Sequence, residues 1–382
     1  MTRVRFDQLN EDLLQNILSK LPAPSFASAA CVSRSWWLAC NRVLSRPKLA
    51  SALSLNPSSC AAAKEVLDKV LSEPIRPHFA IACVVCPKLE LGPVHLLITQ
   101  KLGSRTPVIT CSATGIIGRD TLTCEFKEVL PEVNDRNDNR RVVLIVGFLP
   151  GVKVDAIPLS QPLEHHSAPL VDKFVMDIKR FATSVTHCGS PDAIIIFGLG
   201  NGPAWPALYI GVLERRRCRG GSQKGKGKAM ISVAFHEVIG GDEQDLCVDG
   251  VDIITHDAFQ FYRPDYNAAS SSCHKVSNNL RGYVADRAGD SDGSNKREVI
   301  GGLVFACCGR GLPFFGSGFC DVDSSPLTEN FPDVPLGGKY CLGEIHRHSS
   351  SCGLGGELGR YDQLVYSTVY LVISYIPPPS RP

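Results

Sequence analysis

The chain has 382 residues, of which 44% are hydrophobic and 20% are charged, and its formal net charge is +2. This length allows about two or three domains, and the composition is typical of a folded globular protein, not of a disordered one. A charge so close to zero excludes a global field that would attract nucleic acid or a membrane surface, so we expect neither as a partner of the whole chain.

The chain contains 16 cysteines, whose meaning depends on the redox compartment. Asp7, Glu11 and Asp12 stand where a signal peptide would need its apolar core. No run approaches the roughly 18 apolar residues that a membrane span needs. We therefore interpret the cysteines as reduced thiols, mostly small buried residues, and expect a cytoplasmic and/or nuclear protein.

The first forty residues predict three short helices. Asn10 is a suitable cap for the first helix, whose opening turn is acidic. Pro22 and Pro24 end it, Ser25 starts the second, and residues 32–38 form a third. Along the first helix, apolar residues recur at the spacing of one broad helix face: Leu13, Leu14, Ile17, Leu18 and Leu21.

The order and spacing of these residues resemble an F-box. The resemblance rests on Leu9, Leu13-Leu14, Ile17-Leu18-Ser19, Leu21-Pro22 and Cys31-Val32-Ser33-Arg34-Ser35-Trp36. Asn10 departs from the family, which usually has proline there, but it still suits a helix start. The alternative interpretation is an ordinary helical hairpin at the edge of a larger domain.

An F-box implies docking on the Skp-type adaptor of a cullin-RING (SCF) ubiquitin ligase, and through it association with the cullin and RING subunits. A solitary hairpin with so much apolar surface would expose a large patch, which a helix-in-groove interface would bury. The residues that we assign to the adaptor-binding face and its supporting core are Leu9, Leu13, Leu14, Ile17, Leu18, Leu21, Pro22, Val32 and Trp36. The sequence does not sort the outward-facing members from the inward-facing ones.

Beyond a helix at residues 61–71, strand-like and helix-like segments alternate, which predicts an α/β body. The fold class expected is therefore α+β and multidomain, with a small helical F-box followed by a mixed α/β body. The predicted strands are 78–85, 107–111, 141–148, 193–197, 299–308 and 364–376, and the predicted helices are 92–102 and 168–185. No leucine-rich repeat of about 20–29 residues is visible.

Two parts of this body resemble the halves of a FIST domain, a module regarded as a small-ligand sensor. The resemblance rests on residues 302–311, with Pro335-Leu336-Gly337-Gly338 and Gly343-Glu344-Ile345, and less specifically on residues 110–117. The middle of the chain shows little of the family's strand pattern. The domain map that follows is 1–50 F-box, 51–76 helical linker, 77–213 FIST_N-like region, 214–230 basic flexible loop, 231–265 connecting region, 266–298 disordered insert and 299–376 FIST_C-like region.

The glycine-flanked strand end at residues 307–311 is a candidate ligand or substrate site. Glycines let backbone N–H groups approach a ligand, and Arg310 would supply a cation that also activates a neighbouring thiol. The alternative is that the glycines serve tight turns, Arg310 is solvated and both cysteines are core residues. The candidate residues are Cys307, Cys308, Gly309, Arg310, Gly311, Gly343 and Glu344.

Other constellations are weaker. Cys83 and Cys86 have zinc spacing without a second pair, and the Gly198-x-Gly200-x-Gly202 run lacks the last glycine of a dinucleotide fingerprint. The spacing of Cys341, His346, His348 and Cys352 fits no common zinc site. We therefore expect no metal, no cofactor and no catalytic residue. The leading hypothesis is a non-catalytic SCF substrate receptor, with an unknown protein substrate or a small ligand bound by the body. The alternative hypothesis is a small-ligand or redox sensor without a ligase role.

Overall fold

A computed structural model describes residues 10–85, 90–130, 140–158, 168–186, 194–197, 209–217, 229–242, 244–249, 253–263, 265–285, 298–316, 321–341, 344–347, 361–364 and 367–376. The helices are α1 Glu11–Ser19, α2 Ala23–Ala30, α3 Arg34–Ser45, α4 Ser59–Val70, α5 Leu91–Leu102, α6 Ala168–Thr186, α7 Tyr266–Ala285, α8 Leu312–Phe315 and α9 Ser325–Asn330. None of the helices in this part of the chain is long and apolar enough to cross a bilayer.

The strands are β1 Lys48–Ser54, β2 Phe79–Val85, β3 Val108–Ser112, β4 Gly115–Arg119, β5 Phe126–Val129, β6 Arg141–Phe148, β7 Tyr209–Arg217, β8 Ala229–Gly241, β9 Leu246–Asp249, β10 Phe259–Tyr262, β11 Glu298–Cys307, β12 Leu336–Cys341, β13 Glu344–Arg347, β14 Tyr361–Leu364 and β15 Thr368–Tyr375. The chain divides into two compact units, one of residues 1–200 with 273–382 and the other of residues 201–272.

The first unit contains the N-terminal helices and two mixed sheets. The first sheet has the order β1-β6-β2-β3, in which only β2 and β3 are parallel. The second has the order β15-β11-β12-β4-β5, in which only β11 and β12 are parallel. Both parallel pairs need a crossover connection, and α5 supplies it between β2 and β3. The expected mixed α/β body is confirmed.

The two sheets pack against each other and are covered by helices on their outer faces. In β6, Val142, Leu144 and Val146 pack with α4 and α5, because successive strand residues point to opposite faces. Val143 and Ile145 point the other way, into a core shared with β4 and β11 of the second sheet. The far face of the second sheet packs with residues of α7 and α9. The layers are thus helix, sheet, sheet and helix.

Close approach of the sheets requires a glycine on β12. A Cβ atom on Gly337 would lie 2.6 Å from the side chain of Ile145 on β6, so no larger residue fits without displacing that side chain. The glycines that the sequence offered as part of a ligand-family pattern therefore include at least one that serves inter-sheet packing.

The second unit is an antiparallel sheet of order β10-β7-β8-β9. It occupies the region that the sequence predicted as a basic loop and a connecting segment. Residues 214–217 continue β7 and residues 229–230 begin β8, while the rest of the predicted basic loop lies outside the described residues. The predicted connecting region 231–265 contains strands, because β8 pairs with β7 over residues 229–237 and with β9 over residues 237–241.

Three other expectations are wrong. The predicted linker 51–76 belongs to the body, since β1 is an edge strand of the first sheet and α4 packs on that sheet. The predicted disordered insert begins with the helix α7, whose Leu280 contributes to a core cluster, and residues 286–297 lie outside the described part. Residues 194–197 of the predicted fourth strand have no strand conformation and pair with none of the described strands, and the side chains of Ile194, Ile195 and Ile196 are exposed.

Candidate functional sites

The N-terminal hairpin, defined as α1 to α3, is built from residues that cap and pack short helices. The Asn10 side chain accepts a hydrogen bond from the backbone N–H of Asp12, as predicted, and Ser33 caps α3 by accepting from the N–H of Trp36 at 3.2 Å. Pro24 was predicted to end α1, but it lies in the first turn of α2, a position that favours proline. The second helix therefore starts at Ala23, two residues before Ser25.

The hairpin has a small core of its own. Leu14 and Leu18 of α1 are buried, Leu18 completely, and Leu21 and Trp36 pack against the same cluster. The other buried members are Phe26, Ala29, Ala39 and Cys40. Four of the residues assigned to the adaptor face thus support the hairpin from inside. Leu9 lies outside the described residues.

A second set of apolar side chains points to solvent. Leu13 and Ile17 lie one helical turn apart on α1, and both are more than 40% exposed. Val32, which precedes the N-cap residue of α3, is 63% exposed, and Pro22 is exposed as well. Trp37 and Leu38 at the start of α3 are also exposed, although they were not among the predicted residues. We call Leu13, Ile17, Val32, Trp37 and Leu38 the exposed hairpin residues.

The hairpin is joined to the body by a backbone hydrogen bond and by a short connection of the chain. Ala23 N–H donates to the Ser72 carbonyl at 2.9 Å. Within the hairpin, Arg46 at the end of α3 donates to the Gln15 amide oxygen of α1 at 2.9 Å. The turn after α3 leads within three residues into β1.

The candidate site at the end of β11 has a different character from the predicted one. Arg310 is buried, and its Nε donates to Oδ1 of Asp323 at 2.6 Å. Thr368 Oγ1 donates to the same carboxylate oxygen at 2.6 Å. Arg310 is therefore not a solvated cation waiting for an anionic ligand, because a fully buried carboxylate already neutralises it.

The thiol beside Arg310 is not one of the two that the sequence suggested. Arg310 Nη2 lies 3.3 Å from Sγ of Cys273 on α7, and burial raises the pKa of the Cys273 thiol despite this guanidinium. Cys307 and Cys308 are buried core residues. The interpretation of these two cysteines as packed side chains agrees with their position.

A second buried carboxyl group stands next to this pair. Glu128 of β5 accepts from the Tyr340 hydroxyl at 2.7 Å and from the backbone N–H of Ser324 at 2.5 Å. Burial, together with the charge of Asp323, raises the pKa of Glu128 to about 7. Among the described residues, Oδ2 of Asp323 has no hydrogen-bond partner. The cluster thus combines two carboxyl groups, a guanidinium and a tyrosine from distant parts of the chain.

The remaining residues of the predicted site lie in two segments of the chain. Gly309 and Gly311 lie in the turn after β11, and Gly311 has a φ of +84°, which explains the need for glycine there. Gly343 lies outside the described residues, and Glu344 begins β13, opposite Leu364. Within the described chain, no group of three or more potential ligands is arranged to hold a metal.

Comparison with known proteins addresses the N-terminal hairpin first. Residues 6–36 match the F-box domain family. An F-box/LRR-repeat protein of Arabidopsis thaliana is 33% identical over 506 aligned positions, which cover 96% of this chain and 93% of the relative. This chain belongs to the F-box protein family. The alignment is longer than the chain, so the relative contains residues that this F-box protein lacks. The two FIST-like halves remain a prediction.

The sequence missed functional candidates for identifiable reasons. Trp37 and Leu38 follow Trp36 directly, so only their positions on α3 distinguish the exposed side chains from the packed one. Asp323, Glu128 and Cys273 lie in unrelated segments and carry no motif. Their proximity to Arg310 arises from the pairing of β11, β12, β4 and β5 and from the packing of α7.

Proposed function

We propose that this F-box protein is the substrate-recognition subunit of an SCF E3 ubiquitin ligase. The F-box docks on a Skp-type adaptor, which connects it to the cullin and RING subunits, and the body binds the protein substrate. The observation that carries this proposal is the match of residues 6–36 to the F-box domain, which coincides with the hairpin that leaves large apolar side chains in solvent.

The exposed hairpin residues have the chemistry of a docking interface. Leu13 and Ile17 offer an i, i+4 aliphatic pair of the kind that lies in an apolar groove. Trp37 adds an aromatic residue of the type enriched at binding hot spots. Burial of these side chains would remove the exposed apolar surface that a solitary hairpin leaves in water.

In this role the protein has no catalytic step. A recruited conjugating enzyme transfers ubiquitin, and the contribution of the receptor is to hold the substrate close to it. The hydrogen bond from Ala23 to Ser72 and the short connection from α3 to β1 support a defined position of the body relative to the adaptor. We place the protein in the cytoplasm and/or nucleus as part of ubiquitin-dependent degradation.

For the body we propose FIST-like regions at 77–213 and 299–376, which bind the substrate or a small ligand. The second candidate function, a small-ligand sensor without a ligase role, is favoured by one observation. Oδ2 of Asp323 is buried and accepts no hydrogen bond from the described residues. Because a buried carboxylate oxygen normally accepts a hydrogen bond, a small ligand with an N–H or O–H group would complete this site.

Adaptor binding tests the proposal. We expect Leu13→Asp with Ile17→Asp to weaken binding of a purified Skp-type adaptor by at least about a hundredfold, because a hot-spot residue contributes about 2 kcal/mol or more. The control is Leu122→Asp, which places one such charge, half the number in the double variant, on an exposed leucine of the body, 83% accessible to solvent. This control should bind like the unmodified protein.

The outcome is read by calorimetry or by co-purification of the two proteins. Both variants should unfold at the same temperature as the parent, since all three leucine and isoleucine side chains are exposed. Undiminished adaptor binding by the double variant would overturn the proposal. Equal losses in the double variant and in Leu122→Asp would overturn the assignment of the interface to the hairpin.

A further inference from the structure

Two cysteines face each other inside the first unit, between the two sheets. Cys83 of β2 and Cys111 of β3 are directly in register on neighbouring parallel strands, and their sulfur atoms lie 3.6 Å apart. Both thiols are buried in the core that the two sheets share. The pair lies outside the Arg310 cluster and outside the hairpin.

A lysine from the opposite sheet reaches this pair. Lys339 of β12 is only 4% exposed, donates from Nζ to the Ser112 carbonyl at 2.9 Å and lies 3.9 Å from Sγ of Cys111. Among the described residues, Lys339 forms no ion pair with a carboxylate. A buried ammonium without a carboxylate is costly, so the adjacent thiol is the group best placed to supply the negative charge.

The two thiols are consequently unequal. The sulfur–sulfur contact with Cys83 and the charge of Lys339 lower the pKa of Cys111, although burial opposes them. The same contact with Cys111, together with burial, raises the pKa of Cys83 well above that of an ordinary thiol. A thiolate beside a protonated thiol is the arrangement in which one sulfur reacts first and the other follows.

We propose that Cys83 and Cys111 form a reversible disulfide when the protein meets hydrogen peroxide, with Cys111 as the sulfur that is oxidised first. The Cys111 thiolate attacks one peroxide oxygen, the O–O bond breaks, and the departing hydroxide takes up a proton to become water. Cys111 is then a sulfenic acid. Cys83 attacks its sulfur, the S–O bond breaks, and the second oxygen leaves as water with the Cys83 proton. Two electrons pass from the two thiols to the peroxide.

The backbone permits this bond. Adjacent strands lie about 4.8 Å apart, inside the range of about 4.4–6.8 Å that Cα atoms joined by a disulfide adopt. Residues in register on parallel strands point their Cβ atoms in the same direction, so the linkage would be strained and therefore easily reduced. We accordingly expect dithiothreitol to restore both thiols.

Peptide mapping tests this inference on the full-length reduced protein. After a pulse of hydrogen peroxide and alkylation of the remaining thiols, mass spectrometry should find a peptide pair linked through Cys83 and Cys111. Cys40 is the matched control, because it is buried and burial raises its pKa, and it should stay reduced. Cys60 is exposed and reports the peroxide dose. Mapping must also cover Cys307 and Cys341, which are in register on β11 and β12.

Two variants separate the roles of the residues. Cys83→Ser should yield no linked peptide and should accumulate a Cys111 sulfenic acid that dimedone traps. Lys339→Met should slow the oxidation by roughly tenfold for each unit by which the Cys111 pKa rises, with Cys60 unaffected. Thermal unfolding of Lys339→Met shows whether the variant is folded. If it is not folded, dimedone labelling of Cys83→Ser alone tests whether Cys111 is oxidised first.

The inference is independent of the ligase role, because adaptor binding is measured separately under reducing conditions. Cys83 and Cys111 remaining reduced at a dose that oxidises Cys60 would overturn it. A disulfide at Cys307 and Cys341 in place of the expected one would also overturn it, as would dimedone labelling of Cys83 in preference to Cys111.

Discussion

The N-terminal hairpin and the α/β body treat large side chains in opposite ways. The hairpin buries one side of α1, through Leu14 and Leu18, and leaves Leu13 and Ile17 of the same helix in solvent. The body buries even charged residues, such as Arg310, Asp323 and Lys339, between its layers. The contrast indicates that the hairpin surface serves binding. In the body, by contrast, a few titratable side chains are buried away from water between the layers.

The largest difference between body and hairpin should come from the buried ion pair of the body. We expect Asp323→Ala to lower the free energy of unfolding by about 3–5 kcal/mol, because Arg310 would remain buried without a counter-charge. Asp177→Ala, which removes the exposed pair with Arg180 on α6, should cost less than about 0.5 kcal/mol. Urea unfolding measures both values. Equal small effects would show that Arg310 is solvated in the folded protein.

The hairpin itself provides the next largest contrast, between two neighbouring positions of α1. Leu18→Ala should destabilise the hairpin by about 3 kcal/mol, since it leaves a cavity in the core, and adaptor binding should fall because the hairpin unfolds. Ile17→Ala should change stability by less than about 1 kcal/mol and weaken binding directly. Limited proteolysis of the N-terminus, combined with a binding assay, separates the two mechanisms. Similar protease sensitivity of both variants would contradict the assignment of inner and outer faces.

The buried carboxyl group of Glu128 should make the stability of the body depend on pH, and the hairpin should not share this dependence. Its pKa is about 7 in the folded protein, against an ordinary value of 4.5, so the folded state binds the proton more tightly than the unfolded state does. The contribution to stability is present below about pH 4.5 and is lost as the pH rises through 7, and its upper bound is about 3 kcal/mol. Glu128→Gln should remove this loss, as measured by urea unfolding at pH 5 and pH 8. A variant with the same pH slope as the parent would exclude Glu128 as its origin.

Much of the body could be predicted from local patterns. The continuous apolar runs at residues 79–85 and 141–148 are central strands, and the long helix predicted at 168–185 spans 168–186. The local apolar pattern predicted the wrong structure where contacts with distant parts of the chain decide between strand, helix and loop. Residues 194–197 are apolar but pair with no strand in the described part of the chain. The polar segment 266–285 is helical because a few of its side chains reach a core built by other elements.

The sequence by itself determined the F-box, because its signature is a run of helix caps and apolar residues within about forty positions, and local spacing is sufficient to specify it. Only the tertiary structure decided which of those residues face outward, since Leu13 and Leu14 differ solely in their direction from the helix axis. It also decided that Arg310 is neutralised and that Cys83, Cys111 and Lys339 meet. Those contacts join residues up to 228 positions apart, and strand pairing and sheet packing, which depend on the whole chain, bring them together.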